Sequence, residues 1–278
     1  MKNVNYLKRI LPYSRNLACM RGGLKTCLHG IIAVWITGFT MIPCLHAEQK
    51  ADSQGEWIQL FNGKNLKGWV PKFVGHDLGV NYKNTFIVKD GLLTVCYDNY
   101  KQWQNNFGHL FYKDEFSHYI LRIEYRFTGD QLKDAPDWAY RNSGVMMHGQ
   151  NPATMKKDQW FPASIEAQFL GGHPDGKKKR NTLDLYTPGT YVCQGQQSDK
   201  LQHIKSEGPT IDGDEWVSIE VEVHGGEVIR HKIGGKVVLE YKQPRLDDGT
   251  LLERGTISLQ AESHPIQFRK IEIKVLKK

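Results

Sequence analysis

This 278-residue chain lacks most features that define the common enzyme and membrane classes. It contains no Gly-x-Ser-x-Gly, no phosphate-binding loop and no dinucleotide fingerprint, which removes the usual signals of α/β-hydrolases and of nucleotide-dependent enzymes. No apolar run approaches the roughly 20 residues that a membrane-spanning helix requires. Beyond residue 47 no long stretch has the 3.6-residue apolar period of an amphipathic helix.

An excess of charge is also missing from most of the chain. The formal charge is +7, but the first 47 residues hold six of the 37 Lys and Arg residues and none of the 30 Asp and Glu residues. Residues 48–278 therefore carry 31 basic and 30 acidic side chains. Because a nearly neutral body has no general attraction for phosphate backbones, we expect no nucleic-acid partner.

Cysteine is scarce where it would matter for folding. Three of the five cysteines lie in the first 47 residues, which leaves Cys96 and Cys193. Two cysteines do not make a disulfide scaffold, although an oxidising compartment would permit one bridge. The sequence is compatible with two separate thiols and with one disulfide.

The N-terminal 47 residues have the pattern of a secretory signal peptide. A basic stretch precedes the apolar run Ile31–Ile42, and a cleavage site with a small residue ends at Ala47. Met20 offers an alternative start, and Cys44 leaves open a lipoprotein, although Pro43 departs from the small residue that such signals prefer. We expect a short polar segment at 48–54 and an exported protein, periplasmic or extracellular, with no membrane-spanning segment after cleavage.

Alternation with period two dominates the rest of the chain. Apolar and polar residues alternate in Tyr119–Phe127, Val217–Val223 and Ile271–Val275, which predicts long strands with one wet face in antiparallel sheets. The predicted core includes Tyr119, Leu121, Ile123, Val217, Ile219 and Val221. Shorter strands are predicted near Phe86–Val88, Leu92–Cys96, Gly144–His148, Ile165–Phe169, Leu183–Tyr186, Val228–Ile233, Val237–Tyr241 and Thr256–Gln260. Many strands separated by glycine turns indicate one all-β sandwich or jelly roll over residues 55–278.

Long irregular stretches separate these strands. They are predicted at Val70–Thr85, Asn99–Phe107, Gly129–Arg141, Gly149–Pro162, Gly171–Asn181 and Pro188–Thr210. Loops of this length on a sandwich usually build a site. Trp138 and Trp160 lie in them, and their rings could stack on sugars or simply anchor the loops to the core.

Four motifs together resemble a known family. They are Leu60–Trp69 (LFNGKNLKGW), Arg141–Val145 (RNSGV), Ile165–Phe169 (IEAQF) and the closing pair GTISLQ and FRKIEI, which ends at Ile273. Their order and span resemble the 3-keto-disaccharide hydrolase family, long known as a domain of unknown function. The chain departs from the common pattern where Leu-Gln-x-His-Gly becomes Gln260-Ala261-Glu262-Ser263-His264-Pro265, and where Leu170-Gly171 replaces an acid.

The resemblance implies a fold and an activity. The fold would be an antiparallel two-sheet jelly-roll sandwich similar to concanavalin A-like lectins and glucanases. The protein would be exported by glycan-degrading bacteria and would act on glycosides or disaccharides whose 3-hydroxyl is oxidised to a ketone. A 3-keto group makes the C2–H acidic, so a base, an enolate stabiliser and an acid for the leaving group would suffice for elimination.

Glu166 and His148 are the predicted catalytic residues. Glu166 and Gln168 are two apart on a predicted strand, so both point to one face while Ile165, Ala167 and Phe169 point to the other. A merely solvated strand face is the alternative. His148 ends another strand and could act as a base. If Glu166 clustered with His109, His148, His173 and His264, these side chains could bind a divalent metal ion. No metal-binding spacing supports that ion.

The remaining candidates would bind substrate, an oligosaccharide or glycoside. They are Arg141, Asn142, Gln168, Trp138, Trp160, Tyr186, Gln260, Glu262 and His264. Lys177–Arg180 is expected to be a solvated loop tip. A non-catalytic lectin-like module and a two-carboxylate glycosidase, which would need a second acid near Glu166, stay open as alternatives.

Overall fold

The computed structural model describes residues 55–173, 175–176, 179–194 and 200–278. The predicted signal peptide at 1–47, the segment 48–54 and Cys44 lie outside these residues. Within the described residues no α-helix occurs, and three short 3-10 turns span Tyr82–Asn84, Asp137–Ala139 and Pro152–Thr154. The expectation of an all-β chain is confirmed.

The strands form two antiparallel sheets. The strands are β1 (Trp57–Gln59), β2 (Trp69–Phe73), β3 (Phe86–Lys89), β4 (Leu92–Val95), β5 (Gly108–Phe116), β6 (His118–Phe127), β7 (Asn142–Gly149), β8 (Ile165–Leu170), β9 (Leu185–Tyr186), β10 (Thr190–Cys193), β11 (His203–Ile204), β12 (Val217–His224), β13 (Val228–Ile233), β14 (Lys236–Leu246), β15 (Gly255–Ala261) and β16 (Ile266–Val275). One sheet has nine strands in the order β10-β14-β13-β12-β6-β16-β4-β3, with β1 paired to β16; the other has seven in the order β11-β9-β8-β7-β15-β5-β2.

The three strongly alternating segments are neighbours in the nine-stranded sheet. β6 pairs with β12 on one side and β16 on the other, so that Ile123 lies opposite both Ile219 and Ile271. These side chains are buried between the sheets. The six core residues predicted from these strands are all buried. The alternation of apolar and polar residues predicted these strands because one face of this sheet packs against the core and the other is exposed to solvent.

Replacing Ile219 by Asp tests this assignment. Ile219 is 1% exposed, so the variant would bury an unpaired charge at a cost of several kcal/mol. We expect a large fall in the melting temperature. Ser218→Asp places the same side chain on the exposed face of β12 and should change stability by only about 0.5 kcal/mol. Equal melting of both variants would show that the strand faces are assigned incorrectly.

Two predicted loops contain strands. Val70–Thr85 begins inside β2, and Pro188–Thr210 contains β10 and β11. β10 lies at one edge of the nine-stranded sheet, whereas Cys96 follows β4 near the other edge. Cys96 and Cys193 therefore form no disulfide with each other.

Candidate functional site

The site lies on the outer face of the seven-stranded sheet, where β9, β8, β7 and β15 are adjacent. Ile165, Ala167 and Phe169 of β8 belong to the core between the sheets, and Phe169 stacks on Tyr125 with ring centroids 4.2 Å apart. Glu166 and Gln168 consequently face outward, as the alternation of a strand requires. They are only 4% and 8% exposed, so this outer face is covered rather than solvated.

Glu166 occupies the centre of this face. In the strand register it lies opposite Met146 on β7 and Tyr186 on β9. The space for its carboxylate exists because residue 144 is glycine: a Cβ there would lie 2.3 Å from Glu166 Oε1. Gly144 in the RNSGV motif thus permits the position of Glu166.

Glu262 follows the end of β15 and supplies a second buried carboxylate, 3% exposed. Oε1 of Glu166 and Oε2 of Glu262 are both buried without a hydrogen-bond partner among the described residues. Burial raises the pKa of Glu166 well above its usual range, and the charge of Glu262 raises it further. Burial raises the pKa of Glu262 to about 8, against the opposing effect of Arg180.

Arg180 departs from the predicted solvated loop tip at 177–180, whereas Lys179 is exposed as predicted. Lys177 and Lys178 lie outside the described residues. The Arg180 side chain is partly buried. Its guanidinium donates to the backbone carbonyls of Tyr140, Gly171 and Trp138. A run of basic residues gave no sign of this, because the three acceptors come from distant parts of the chain.

Tyr186 lies beside Glu166 in the strand register. Its ring packs against that of His203 at 4.4 Å between centroids. Burial, followed by the charge of Glu166, raises the pKa of the Tyr186 hydroxyl to about 12. Tyr186 therefore stays protonated and can donate a hydrogen bond next to the carboxylates.

Arg141 and Asn142 begin β7 at the same end of the sheet. The Arg141 guanidinium donates to the carbonyls of Asp212 and Gly213 at 2.9 and 2.8 Å and pairs with Asp214 at 2.8 Å. It thereby fixes the loop beside the site. Asn142 is buried, and its Oδ1 has no hydrogen-bond partner among the described residues, so it remains available to a ligand.

Gln260 and His264 complete the polar set on and after β15. Gln260 is 1% exposed, and its Oε1 also lacks a partner among the described residues. His264 packs edge-on against Tyr140 at 4.9 Å. Burial, together with Arg141 and Arg180, lowers the pKa of His264 to about 4, so its imidazole is neutral near pH 7.

Trp138 and Trp160 lie on different loops, and both rings pack against the ring of Phe107. Phe107 is buried, and its ring centroid lies 6.4 Å from Trp138 and 5.1 Å from Trp160. Both tryptophans are partly buried against the core. They therefore anchor loops while keeping part of each ring exposed.

His148 is not brought together with Glu166. Its backbone is left-handed with φ 47°, and its Nε2 bonds the Gly225 carbonyl at 2.9 Å on the other sheet. The side chain thus bridges the two sheets at the far end of β7. His148 therefore lies outside the candidate site around Glu166.

The residues do not fit the histidine metal cluster left open by the sequence. His148 bonds Gly225, and His173 contacts Asp137 and Asp175 at 2.5 and 3.0 Å. In the part of the chain that the structure describes, no three His, Cys, Asp or Glu side chains are arranged to hold a metal ion.

An open cavity of about 720 Å³ lies elsewhere, near the β12–β13 turn. It is lined by residues such as His118, His224, Lys242 and Arg245, and by none of the predicted site residues. The buried carboxylates, not this cavity, define the candidate site.

Several solved structures are similar to this chain at low sequence identity. A "putative glycosyl hydrolase" from Parabacteroides distasonis is 18% identical, with a TM-score of 0.49 over 80% of this chain and 100% of that chain. A Bacillus subtilis protein of unknown function with a galectin-like fold is 12% identical, with a TM-score of 0.48 over 80% and 96%. LamAcat from Zobellia galactanivorans is 9% identical, with a TM-score of 0.47 over 80% and 98%.

No curated protein sequence matches this chain significantly. Among the helices of the described residues, none has the length and apolarity to cross a membrane. The model of the 3-keto-alpha-glucoside-1,2-lyase-like domain, by contrast, matches residues 56–274, and this range contains all four motifs and both buried carboxylates. The chain therefore belongs to this 3-keto-disaccharide hydrolase family, which supports a carbohydrate-active role of the glycoside hydrolase type.

Proposed function

We propose that this protein cleaves 3-keto-glycosides, including 3-keto-disaccharides, by base-assisted elimination or hydrolysis at the glycosidic bond. The observation that carries the proposal is the pair of buried carboxylates, Glu166 and Glu262, each with one oxygen that accepts no hydrogen bond from the residues that the structure describes. A lectin site needs sugar contacts but has no need for two carboxyl groups of perturbed pKa in one place.

The chemistry requires one base and one acid. The base takes the C2 proton, and the C–H electron pair forms an enolate with its charge on O3. The ketone then re-forms as the C1–oxygen bond breaks, and the acid protonates the departing oxygen. The products are an alcohol and an unsaturated 3-keto sugar, to which water adds if the net reaction is hydrolysis.

The two carboxyl groups divide these tasks by their surroundings. Arg180 favours the charged form of Glu262, so Glu262 ionises first and serves as the base. The resulting charge on Glu262 keeps the proton on Glu166, which then serves as the acid. Two groups whose environments push their pKa values apart commonly form such acid–base pairs.

The test is incubation of the mature protein with a 3-keto-glucoside, its C2-deuterated form and the unoxidised glucoside. We expect cleavage of the keto sugar, a slower reaction after deuteration, and no cleavage of the parent sugar. Equal cleavage of the unoxidised glucoside would instead indicate a two-carboxylate glycosidase. Binding without turnover of any of the three would indicate a lectin-like module.

We also propose that the protein is exported and begins near Glu48 after cleavage behind Ala47. The support is the signal-like composition of residues 1–47. N-terminal sequencing of secreted or periplasmic protein is expected to begin at or near Glu48. Recovery of an acylated Cys44 in the membrane fraction would contradict this and establish a lipoprotein.

A further inference from the structure

The guanidinium of Arg180 is held in place by hydrogen bonds to neutral backbone carbonyls. Its Nη2 donates to the Trp138 carbonyl at 2.9 Å, and its Nη1 donates to the Tyr140 carbonyl and, at 3.2 Å, to that of Gly171. A guanidinium has five N–H donors in a fixed plane. Three donors are used in these bonds, which fix the plane and leave two.

No carboxylate neutralises this guanidinium at ion-pair distance among the described residues. The acids that act on it from the surrounding elements are Asp137, Glu262 and Asp184, together with the Tyr140 hydroxyl. Burial lowers the pKa of Arg180 against their combined effect. A partly buried cation without a bonded counter-ion is costly, and it indicates that negative charge arrives from a ligand.

Arg180 lies beside the candidate site, because its acceptors Tyr140 and Gly171 flank the start of β7 and the end of β8. It lowers the pKa of Glu262 against the effect of burial, and it has the same effect on the Tyr186 hydroxyl. Both residues belong to the site around Glu166. Arg141 does not provide an equivalent charge, because Asp214 already pairs with it at 2.8 Å.

We propose that Arg180 is a further catalytic residue, which binds the negative charge that develops on O3 of a 3-keto sugar. This inference rests on the proposed function. When the C2 proton leaves, one electron pair moves into the C2–C3 bond and the ketone oxygen becomes an enolate oxygen. A fixed, partly desolvated donor at that oxygen stabilises the transition state more than the neutral ketone.

The first test compares Arg180→Met with Arg245→Met, the matched control that removes a partly buried guanidinium bonded to the Gly249 carbonyl near the edge of the nine-stranded sheet. Loss of a preorganised oxyanion donor typically costs 10²- to 10³-fold in kcat, and we expect this for Arg180→Met. The limb of the pH–rate profile set by Glu262 should also move to higher pH, whereas Arg245→Met should leave kcat and that limb in place. A kcat within about tenfold of the parent with an unmoved limb would overturn the inference.

The second test requires no turnover. Calorimetry compares the binding of glucose 3-sulfate, which carries its charge at O3, with that of glucose. We expect the parent to favour the sulfate by about tenfold or more and Arg180→Met to lose this preference. Absence of the preference in the parent overturns the role of Arg180. A parent that shows the preference but cleaves no 3-keto-glycoside overturns the proposed function and supports anion binding by Arg180.

Discussion

Glu166→Gln is expected to abolish turnover of a 3-keto-glycoside while leaving the fold intact. Glutamine keeps the shape of the side chain in the space beside Gly144 but cannot transfer a proton. A residue that transfers a proton typically contributes 10²- to 10⁴-fold in rate, and we expect a loss of that size in kcat. Steady-state kinetics, with melting curves to confirm folding, provide the measurement.

Gln168→Ala is the matched control, because Gln168 lies two residues along β8 on the same face. The variant removes no group that can transfer a proton. One neutral hydrogen bond is worth about 0.5–1.5 kcal/mol, so we expect a rise in KM of little more than tenfold and a nearly unchanged kcat. Activity of Glu166→Gln within about tenfold of the parent would remove Glu166 from the mechanism.

Glu262→Gln is expected to raise the melting temperature at pH 7 but not at pH 4.5. The pKa of Glu262 is about 8 in the folded protein, against 4.5 for an unperturbed Glu, because burial disfavours the charged form. Protonated Glu262 therefore favours folding fully below pH 4.5, and this contribution is lost as the pH rises toward 8. At pH 7 the loss amounts to roughly 3 kcal/mol, or about 5–10 °C for a domain of this size.

Glu222→Gln supplies a control of opposite sign. Burial alone would raise the pKa of Glu222, but Lys232, His224 and Arg230 lower it to about 2. Ionised Glu222 therefore stabilises the fold at neutral pH, and the variant should melt lower than the parent at pH 7. If Glu262→Gln also melts lower than the parent at pH 7, Glu262 does not carry a raised pKa.

The strands with the clearest alternation in the sequence are those with one wet face. β6 and β12 alternate along their whole length because their outer side chains reach solvent, and that contrast is local. β5, by contrast, was not predicted. Its first four residues are buried on both sides and its middle residues are charged, so no period-two contrast extends along it.

The placement of Glu166 and Gln168 was accessible for the same local reason, since neighbours two apart on a strand share a face. Their burial was not, because it depends on parts of the chain distant in sequence; β7, β8 and β15 are buried on both faces. Because this outer face is covered, the pKa of Glu166 is raised well above its usual range.

By itself, the sequence determined the sandwich, the core faces of β6, β12 and β16, and the family, since alternation and motif order are properties of consecutive residues. Only the tertiary structure decided that the charge of Glu262 acts on Glu166, that the charge of Arg180 acts on Glu262, and that His148 bonds the Gly225 carbonyl. Those interactions join residues far apart in the chain. Their charges act through space at distances that only the packed sheets set.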